Sequence, residues 1–193
     1  MRSFPIAAAL VLALSATAQA ETLVFIRHAE KPEAGLGQLS CQGLNRALAL
    51  PAFFAKAFPR IDAFFAPDPG TPKPDKGKDY DYVRPLATIE PTAISRGKPV
   101  DAHIGFADIA GLEKAVTAPE YRDAIVVVAW EHKIIDVLAR DLLVANGGDP
   151  KAVPAWDDAD FDGVYVVTLV SGAPARFERL TEGLNGRSEA CPR

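Results

Sequence analysis

The clearest fold signal in the chain lies at residues 124–132, AIVVVAWEH. Its first seven residues form a continuous apolar run rich in valine, which is typical of a strand covered on both faces in a parallel sheet. A second apolar, β-rich run at residues 22–26 (TLVFI) also ends at polar residues, Arg27 and His28. We therefore predict two buried strands, each followed closely by a histidine.

The rest of the chain alternates predicted helices with predicted strands. Residues 67–81 are crowded with Pro, Gly, Lys and Asp and predict an irregular loop. Pro51 should split or kink the helix that contains it. The alternation indicates one α/β domain, a three-layer α/β/α sandwich around a mainly parallel sheet. The further predicted helices are residues 40–58, 84–95 and 133–145, and the further predicted strands are residues 61–65, 100–104, 163–170 and 175–180.

Composition and charge exclude some classes of protein. The 193 residues are 49% hydrophobic and 24% charged, which are ordinary globular proportions. The 21 Lys and Arg against 25 Asp and Glu leave a net charge of −4, which argues against a general binder of nucleic acid or anionic membranes. After the first 20 residues no apolar run reaches the length of about 18 residues that a membrane span needs.

The N-terminal segment, residues 1–20, has the layout of a secretory signal peptide. It has a basic start at Arg2, an apolar stretch over residues 6–14, and small residues that end at Ala18-Gln19-Ala20. We expect cleavage after Ala20, a single domain over residues 21–193, and a periplasmic or secreted location. The alternative is that the segment forms a buried first helix.

Cys41 and Cys191 are the two cysteines of the chain. An oxidising compartment would allow them to form a disulfide, and the alternative is two free thiols. Neither lies beside a histidine or in a CxxC motif, so a catalytic or zinc-bound thiol is not expected.

Ligands of open α/β sheets bind beyond the carboxyl ends of the strands. Both His28 and His132 follow predicted strands, so we expect them at one edge of the sheet. Arg27 adjoins the first histidine, and Arg84 opens a predicted helix, where a cation opposes the helix dipole. A bound anion would explain the position of Arg84.

These residues resemble the histidine phosphatase superfamily, which includes the phosphoglycerate mutases and the histidine acid phosphatases. The pair Glu131-His132 lies where the family has its second histidine. This pair and three other blocks of sequence occur in the same order as in the family. The resemblance implies a phosphoglycerate mutase-like fold. Three other blocks carry it: residues 27–32 (RHAEKP) are similar to the Arg-His-Gly signature, residues 39–47 (LSCQGLNRA) to the Leu-Thr/Ser-x-x-Gly-x-x-Arg-Ala helix start, and residues 84–88 (RPLAT) to the second arginine block.

The resemblance also implies roles for the site residues. His28 would be the nucleophile that forms a phosphohistidine, and His132 would donate to the phosphoryl oxygens. Arg27 and Arg84 would bind the phosphoryl group, because a guanidinium stays charged and binds two oxygens at once. No metal or other cofactor is expected.

Three positions in the first block, Ala29, Glu30 and Lys31, differ from the signature or have uncertain roles. Ala29 replaces the family's usual glycine, which is tolerable if its φ angle is negative. Lys31 would bind substrate, and the alternative is an exposed loop lysine. Glu30 has no direct role but could hold Arg27 or Lys31 in place.

The sequence offers more than one candidate for the residue that donates a proton to the leaving group. Lys133 stands where the acid phosphatases have an aspartate, so that residue is missing here. Glu131 is the first candidate, because a buried position at a strand end could favour a protonated carboxyl. Neighbouring residues of a strand point to opposite faces. If the strand continues through His132, then Asp108 or Glu113 becomes the better candidate.

The leading interpretation is an exported phosphomonoesterase that acts on a small-molecule phosphate ester. One alternative is a periplasmic protein that binds phosphate or a phosphoester without turnover. Another is a metal-dependent hydrolase with His28, His132 and carboxylates such as Glu131 or Asp136 as ligands. Trp156 and the acidic residues 157–162 could be a partner site, although a solvated loop is the simpler interpretation.

Overall fold

The structure is a computed structural model that describes residues 20–193. The predicted signal peptide therefore lies almost entirely outside the described residues. The strands are β1 Ala20–Arg27, β2 Ala63–Pro67, β3 Lys73–Asp75, β4 Lys78–Tyr80, β5 Val100–Ile104, β6 Ile125–Trp130, β7 Gly163–Val170 and β8 Ala173–Thr181. The helices are α1 Cys41–Ala57, α2 Arg84–Ser95, α3 Ile109–Val116 and α4 His132–Ala145, with 3-10 turns at Pro119–Tyr121 and Pro150–Ala152.

A six-stranded sheet forms the centre of the fold, in the order β5-β2-β6-β1-β7-β8. The first four strands of that order run parallel, whereas β7 and β8 pair antiparallel. The predicted α/β class with a mainly parallel sheet is confirmed. Among residues 20–193, no helix is long and apolar enough to cross a bilayer.

Apolar side chains cover both faces of the central strands. Leu23 and Phe25 of β1 pack on one face with residues of α3 and α4, and Val24 and Ile26 pack on the other with residues of α1 and α2. Neighbouring residues of a strand point to opposite faces, so a central strand of a three-layer fold needs apolar residues at every position. This is the reason for the continuous apolar runs in the sequence.

Helix α1 is continuous through Pro51, so the predicted split does not occur. Ser40 caps its start by accepting a hydrogen bond from the Gly43 amide. Leu50 and Phe54, on either side of the proline, are fully buried. Their packing offsets the helical hydrogen bond that a proline removes.

Residues 67–81 are not an irregular loop throughout, and this prediction is wrong. They contain the antiparallel hairpin β3–β4, with Lys73 opposite Tyr80 and Asp75 opposite Lys78. Lys76 and Gly77 form its two-residue turn with φ angles of 52° and 82°. Two successive positive φ angles match the twist of a tight hairpin, which explains how so short a segment forms strands.

Other boundaries differ by a few residues. Strand β2 lies two residues later than predicted, and helix α4 begins one residue earlier, at His132. Helix α3 was not predicted. The bounds of α2, β5 and β7 agree with the predictions.

The C-terminal tail is bound to the start of α1. Cys41 and Cys191 form a disulfide, with their Cα atoms 4.5 Å apart, as the first of the two cysteine alternatives predicts. The Asn45 side chain also donates hydrogen bonds to the carbonyls of Ser188 and Ala190. The disulfide joins residues 150 positions apart, so it restricts nearly the whole unfolded chain.

Replacing both cysteines by serine should lower the free energy of unfolding by about 2–5 kcal/mol, because the unfolded chain regains loop entropy. Urea melts of both proteins, with and without reductant, measure the difference. Reductant should destabilise the wild type and leave the double variant unchanged. Equal midpoints for the oxidised wild type and the variant would contradict a stabilising disulfide.

Candidate active site

The parallel pairing of β1 with β6 brings the two histidines to one edge of the sheet. Arg27 lies opposite Trp130 in the register, and the His28 amide donates to the Trp130 carbonyl at 3.0 Å. His132 begins α4, two residues after Trp130. Both imidazoles are buried, with exposed fractions of 3% for His28 and 6% for His132.

The His28 ring has a defined orientation. Its Nδ1 lies 2.8 Å from the carbonyl oxygen of Ala29, which can only accept, so Nδ1 carries the proton. The Nε2 atom is then the nitrogen with the free lone pair. The rings of Tyr82 and Phe161 flank the imidazole, with centroids 6.1 and 6.2 Å away.

Burial lowers the pKa of His28 well below its usual value of 6.5. The positive charges of Arg84, Arg27 and His132 lower this pKa further, and the Ala29 hydrogen bond opposes the shift only in part. His28 is therefore neutral at pH 7. A neutral imidazole with an unprotonated Nε2 is the form that can act as a nucleophile.

Arg27 and Arg84 are buried, and each makes hydrogen bonds within the fold through only one nitrogen of its guanidinium group, Nη1. Arg27 donates through Nη1 to the carbonyls of Asp158 and Asp160, and it stacks on Phe161 at 3.9 Å. Arg84 donates through Nη1 to the carboxylate of Asp75. The two rings that flank His28 also contact the arginines, since Arg27 lies over Phe161 and Arg84 lies 5.0 Å from the centre of the Tyr82 ring.

The other edge of each guanidinium makes no hydrogen bond to residues 20–193. The Nε atoms of Arg27 and Arg84 are buried and have no acceptor there. A guanidinium edge made of Nε and Nη2 matches two oxygens of a tetrahedral oxyanion. Buried donors usually have acceptors, so these two edges indicate an anion-binding site.

Strand β6 ends at Trp130, so Glu131 is not a strand residue that faces away from the site. It caps α4, and its Oε2 accepts from the Lys133 and Ile134 amides at 3.1 Å. Its Oε1 lies 3.2 Å from His132 Nδ1 without hydrogen-bond geometry. Glu131 therefore lies beside His132 at the start of α4, and its charge raises the pKa of Arg27 and of Lys73, against the lowering by burial.

The two alternative proton donors belong to α3, Asp108 at its N-cap and Glu113 within the helix. Asp108 is exposed and caps α3 by accepting from the Gly111 amide. Glu113 lines a cavity with Glu21, near the amino end of β1. Arg27 ends that same strand, so Glu113 lies at the opposite edge of the sheet and is wrong as a candidate.

The β3–β4 hairpin contributes residues that the sequence analysis missed. The Asp75 carboxylate binds both Arg84 and Lys31, with Lys31 Nζ 3.0 Å from Oδ1. Burial alone would raise the pKa of Asp75, but its bonds to Lys31 and Arg84 lower it overall. Lys31 is therefore an ion-paired residue and not a free exposed lysine, and Lys73 of β3 lies near it. No motif marks these positions, because only the hairpin brings them to the site.

The acidic segment after Trp156 is also part of the site. Asp158 Oδ1 lies 2.6 Å from His132 Nε2, and the Asp158 and Asp160 carbonyls hold Arg27. Bonding to His132 lowers the pKa of Asp158, and the nearby Lys133 adds to this effect. Trp156 is buried and stacks on Tyr165 at 4.2 Å. Residues 157–159 are exposed and lead toward β7, as the solvated-loop interpretation expects, but contacts with His132 and Arg27 also join this loop to the site.

Glu30 binds Arg46 and not Arg27 or Lys31, which corrects the sequence interpretation. Both Glu30 oxygens accept from Arg46 at 2.8–3.0 Å. Arg46 also binds Asp162 and Glu182 at 3.0 and 2.7 Å. Burial alone would lower the pKa of Arg46, but the bonds to Glu30 and Glu182 raise it. This buried cluster ties the segment after His28 to α1 and to the end of β8.

Backbone contacts hold the segment that follows His28. Ala29 is fully buried and is not among the residues with positive φ, so alanine is compatible with this position. Its amide donates to Thr88 Oγ1, which in turn donates to the Arg84 carbonyl. A Cβ atom at Gly43 would lie 2.2 Å from the Glu30 carbonyl oxygen, so the approach of α1 requires glycine there.

The residues named as metal ligands do not form a ligand set. Asp136 accepts from the Trp156 amide and lies next to Arg140. Within residues 20–193, no group of three or more His, Cys, Asp or Glu side chains is arranged to hold a metal ion. The geometry gives the metal-dependent alternative no support.

The pKa of His28 can be tested directly. In protein labelled with ¹⁵N-histidine, His28 should show a protonated Nδ1 and an unprotonated Nε2 at pH 7, and it should titrate well below pH 6.5. Burial, the guanidiniums of Arg84 and Arg27, and the proximity of His132 disfavour the imidazolium. The exposed His103 of β5 is an internal reference. A His28 midpoint at or above that of His103 would contradict this description.

The fold has close parallels among solved structures. No protein-family model and no curated protein matches the sequence. A mycobacterial glucosyl-3-phosphoglycerate phosphatase in complex with inorganic phosphate is 14% identical with a TM-score of 0.53, covering 82% of this chain and 95% of that chain. Phosphoglycerate mutase from Plasmodium falciparum is 10% identical with a TM-score of 0.53, covering 84% and 91%.

A third structure belongs to the same group. It is a SixA protein from Nakamurella multipartitia, assigned as a phosphohistidine phosphatase, at 18% identity and a TM-score of 0.53, covering 82% of this chain and 94% of that chain. These proteins are members of the histidine phosphatase superfamily. The resemblance stated from the sequence is confirmed at the level of the fold: this chain has the histidine phosphatase fold.

Proposed function

We propose that the protein is an exported phosphomonoesterase that hydrolyses a small-molecule phosphate ester through a phosphohistidine on His28. The observation that carries this proposal is the pair of buried guanidinium edges, on Arg27 and Arg84, beside a neutral imidazole. Phosphoryl transfer needs little more than positive charge and positioning, because its transition state spreads negative charge over the equatorial oxygens.

The proposed reaction has two steps. His28 Nε2 attacks phosphorus while Arg27 and Arg84 bind the equatorial oxygens and His132 donates to the phosphoryl group. The bond from phosphorus to the ester oxygen breaks, and Glu131 gives its proton to the leaving oxygen. Water then attacks the phosphohistidine, Glu131 takes a proton from that water, and inorganic phosphate leaves a neutral His28.

The structural neighbours support this proposal. One of them is named a glucosyl-3-phosphoglycerate phosphatase and has been solved both with inorganic phosphate and with VO3. Vanadate and phosphate are the oxyanions that a site of this chemistry binds. The neighbours are named for several different substrates, so the proposal extends to the reaction and not to a particular ester.

A second candidate is a phosphate-binding protein without turnover. One observation favours it: Glu131 already uses one oxygen to cap α4 with two backbone hydrogen bonds. Such bonds are made to a carboxylate and hold it in place, whereas a proton donor must carry a proton on an oxygen that faces the leaving group. Tight phosphate binding without hydrolysis of any ester in a panel would favour this candidate.

The variant His28→Ala should lose at least about 1,000-fold in kcat/KM for p-nitrophenyl phosphate, because the nucleophile is removed. The control is His103→Ala, which changes an exposed histidine of β5 and should keep wild-type activity. Protein quenched in alkali should carry base-stable, acid-labile phosphate only when His28 is present. Near-normal turnover by His28→Ala, or activity that a chelator removes and zinc restores, would refute the proposal.

Export can be tested independently of activity. When the full chain is expressed in a Gram-negative host, the exported protein should begin at Glu21, because the sequence Ala18-Gln19-Ala20 suits signal peptidase. Intact mass and N-terminal sequencing of the periplasmic fraction measure this. A protein that stays in the cytoplasm with residues 1–20 attached would contradict export.

A further inference from the structure

A cavity of about 580 Å³ lies at the amino end of β1, at the edge of the sheet opposite the candidate active site. Its volume is within the range of small-molecule sites. Three carboxylates line it, from Glu21 of β1, Glu113 of α3 and Asp123, which lies just before β6. Arg122 is the one cation among the described residues that line it. The cavity therefore has an excess of negative charge.

Glu21 is a buried carboxyl group that the fold leaves without a partner. Its exposed fraction is 8%, and its Oε1 is buried without a hydrogen bond to any of residues 20–193. Its side chain leaves β1 on the same face as Leu23 and Phe25, so it lies in the row that packs beneath α3 and α4. Burial raises the pKa of Glu21 to about 7, and no neighbouring cation lowers it. An apolar residue would fill this position without that cost, so the carboxyl group indicates a ligand.

The ends of two helices add to the negative potential of the cavity. Thr117 is the C-cap of α3 and Asn146 is the C-cap of α4, and both line the cavity. The carboxyl end of a helix carries a partial negative charge that favours a cation. Helix α4 has no basic residue in its last turn. This helix therefore presents its amino end to the candidate active site and its carboxyl end, without a compensating charge, to the cavity.

The arrangement of the carboxylates favours an extended organic cation over a metal ion. Across residues 20–193, no three His, Cys, Asp or Glu side chains converge on one point as a metal ion requires. Leu142 and Leu169 also line the cavity, so the ligand meets apolar surface as well as carboxylates. A short alkyl chain with an ammonium at each end matches both features, because each ammonium has three hydrogen-bond donors and no acceptor.

The α-ammonium that cleavage after Ala20 would create is another cation near Glu21. The backbone nitrogen of Glu21 lies within the sheet, in register with Leu169 of β7, whereas the side chain points out of the sheet plane. Cleavage would also remove the Ala20 amide, which donates to Asp123 Oδ1 at 2.8 Å. The processed chain would thus gain one cation in the sheet plane and free one carboxylate oxygen beside the cavity.

We propose that this cavity binds a small organic diammonium ion, with one ammonium bound to Glu21 and the other to Glu113 or Asp123. The site is separate from the candidate active site, because Glu21 and Arg27 lie at opposite ends of β1. The inference does not depend on the proposed phosphatase reaction.

Calorimetric titration of the chain that begins at Glu21 tests the site. The probe 1,4-diaminobutane should bind with a Kd below about 1 mM, whereas 1,4-butanediol, which lacks the charges, should not bind. Glu21→Gln should weaken diamine binding at least about tenfold, as expected for the loss of a charge-assisted hydrogen bond. Glu90→Gln removes the same charge from an exposed position on α2 and should bind like the wild type. Inorganic phosphate should not compete with the diamine.

Two further measurements separate a ligand site from a structural carboxyl group. Glu21→Leu should raise the Tm of the free protein, because a buried carboxyl without a partner opposes folding, and should abolish the further rise that the diamine gives the wild type. Binding should strengthen about tenfold from pH 6 to pH 8, because Glu21, whose pKa is about 7, loses its proton over this range. The other charged groups that face it are Glu113, Arg122 and Asp123.

Three outcomes would overturn the proposal. The first is no diamine binding by the wild type, and the second is equal binding by the wild type and Glu21→Gln. The third is binding only by a chain that keeps Ala20 and not by the chain that begins at Glu21. That third result would assign the acidic cavity to the α-ammonium of the processed chain itself.

Discussion

The parallel pairing of β1 with β6 is the constraint on which the site depends. Their register sets Arg27 beside Trp130, and the bond from the His28 amide to the Trp130 carbonyl extends the ladder one residue past the strand. Parallel strands place their carboxyl ends at one edge, so His28 and His132 meet there although their sequence positions are far apart. The buried apolar residues on both faces of β1 and β6 hold this register, because a slip would change which residues face each layer.

Residues that surround the site stabilise its positively charged side chains. Arg84 and Lys31 share Asp75, while Arg27 is held by backbone carbonyls and by the ring of Phe161. Both arginines make these hydrogen bonds through Nη1, and their Nε atoms have no acceptor among residues 20–193. Arg46 has a structural role, because its carboxylate partners neutralise its charge. It joins the segment after His28 to the segments that carry Asp162 and Glu182.

The sequence predicted the parts of the site that lie at the ends of strong elements. Arg27, His28, Arg84 and His132 all adjoin an apolar strand or a helix start, and periodicity detects such elements well. Asp75 and Lys73 lie in a segment whose composition indicates a loop, and only the turn at Lys76 and Gly77 converts it into a hairpin. The contact of Asp158 with His132 depends on the path of a connection between elements, which local patterns do not encode.

The segment around Asp158 bears on how tightly the site can hold an oxyanion. Asp158 is exposed except for its contacts with Lys133 and with Nε2 of His132, and His132 is the residue that the proposed mechanism assigns to the phosphoryl oxygens. An oxyanion that binds His132 replaces this carboxylate, whereas Arg27 keeps its carbonyl partners through Nη1 and binds with its other edge. The carboxylate then competes with phosphate at one donor and not at the two arginines. Such partial competition weakens the binding of inorganic phosphate more than the binding of a transition state that contacts every donor. This difference favours turnover over tight binding of phosphate.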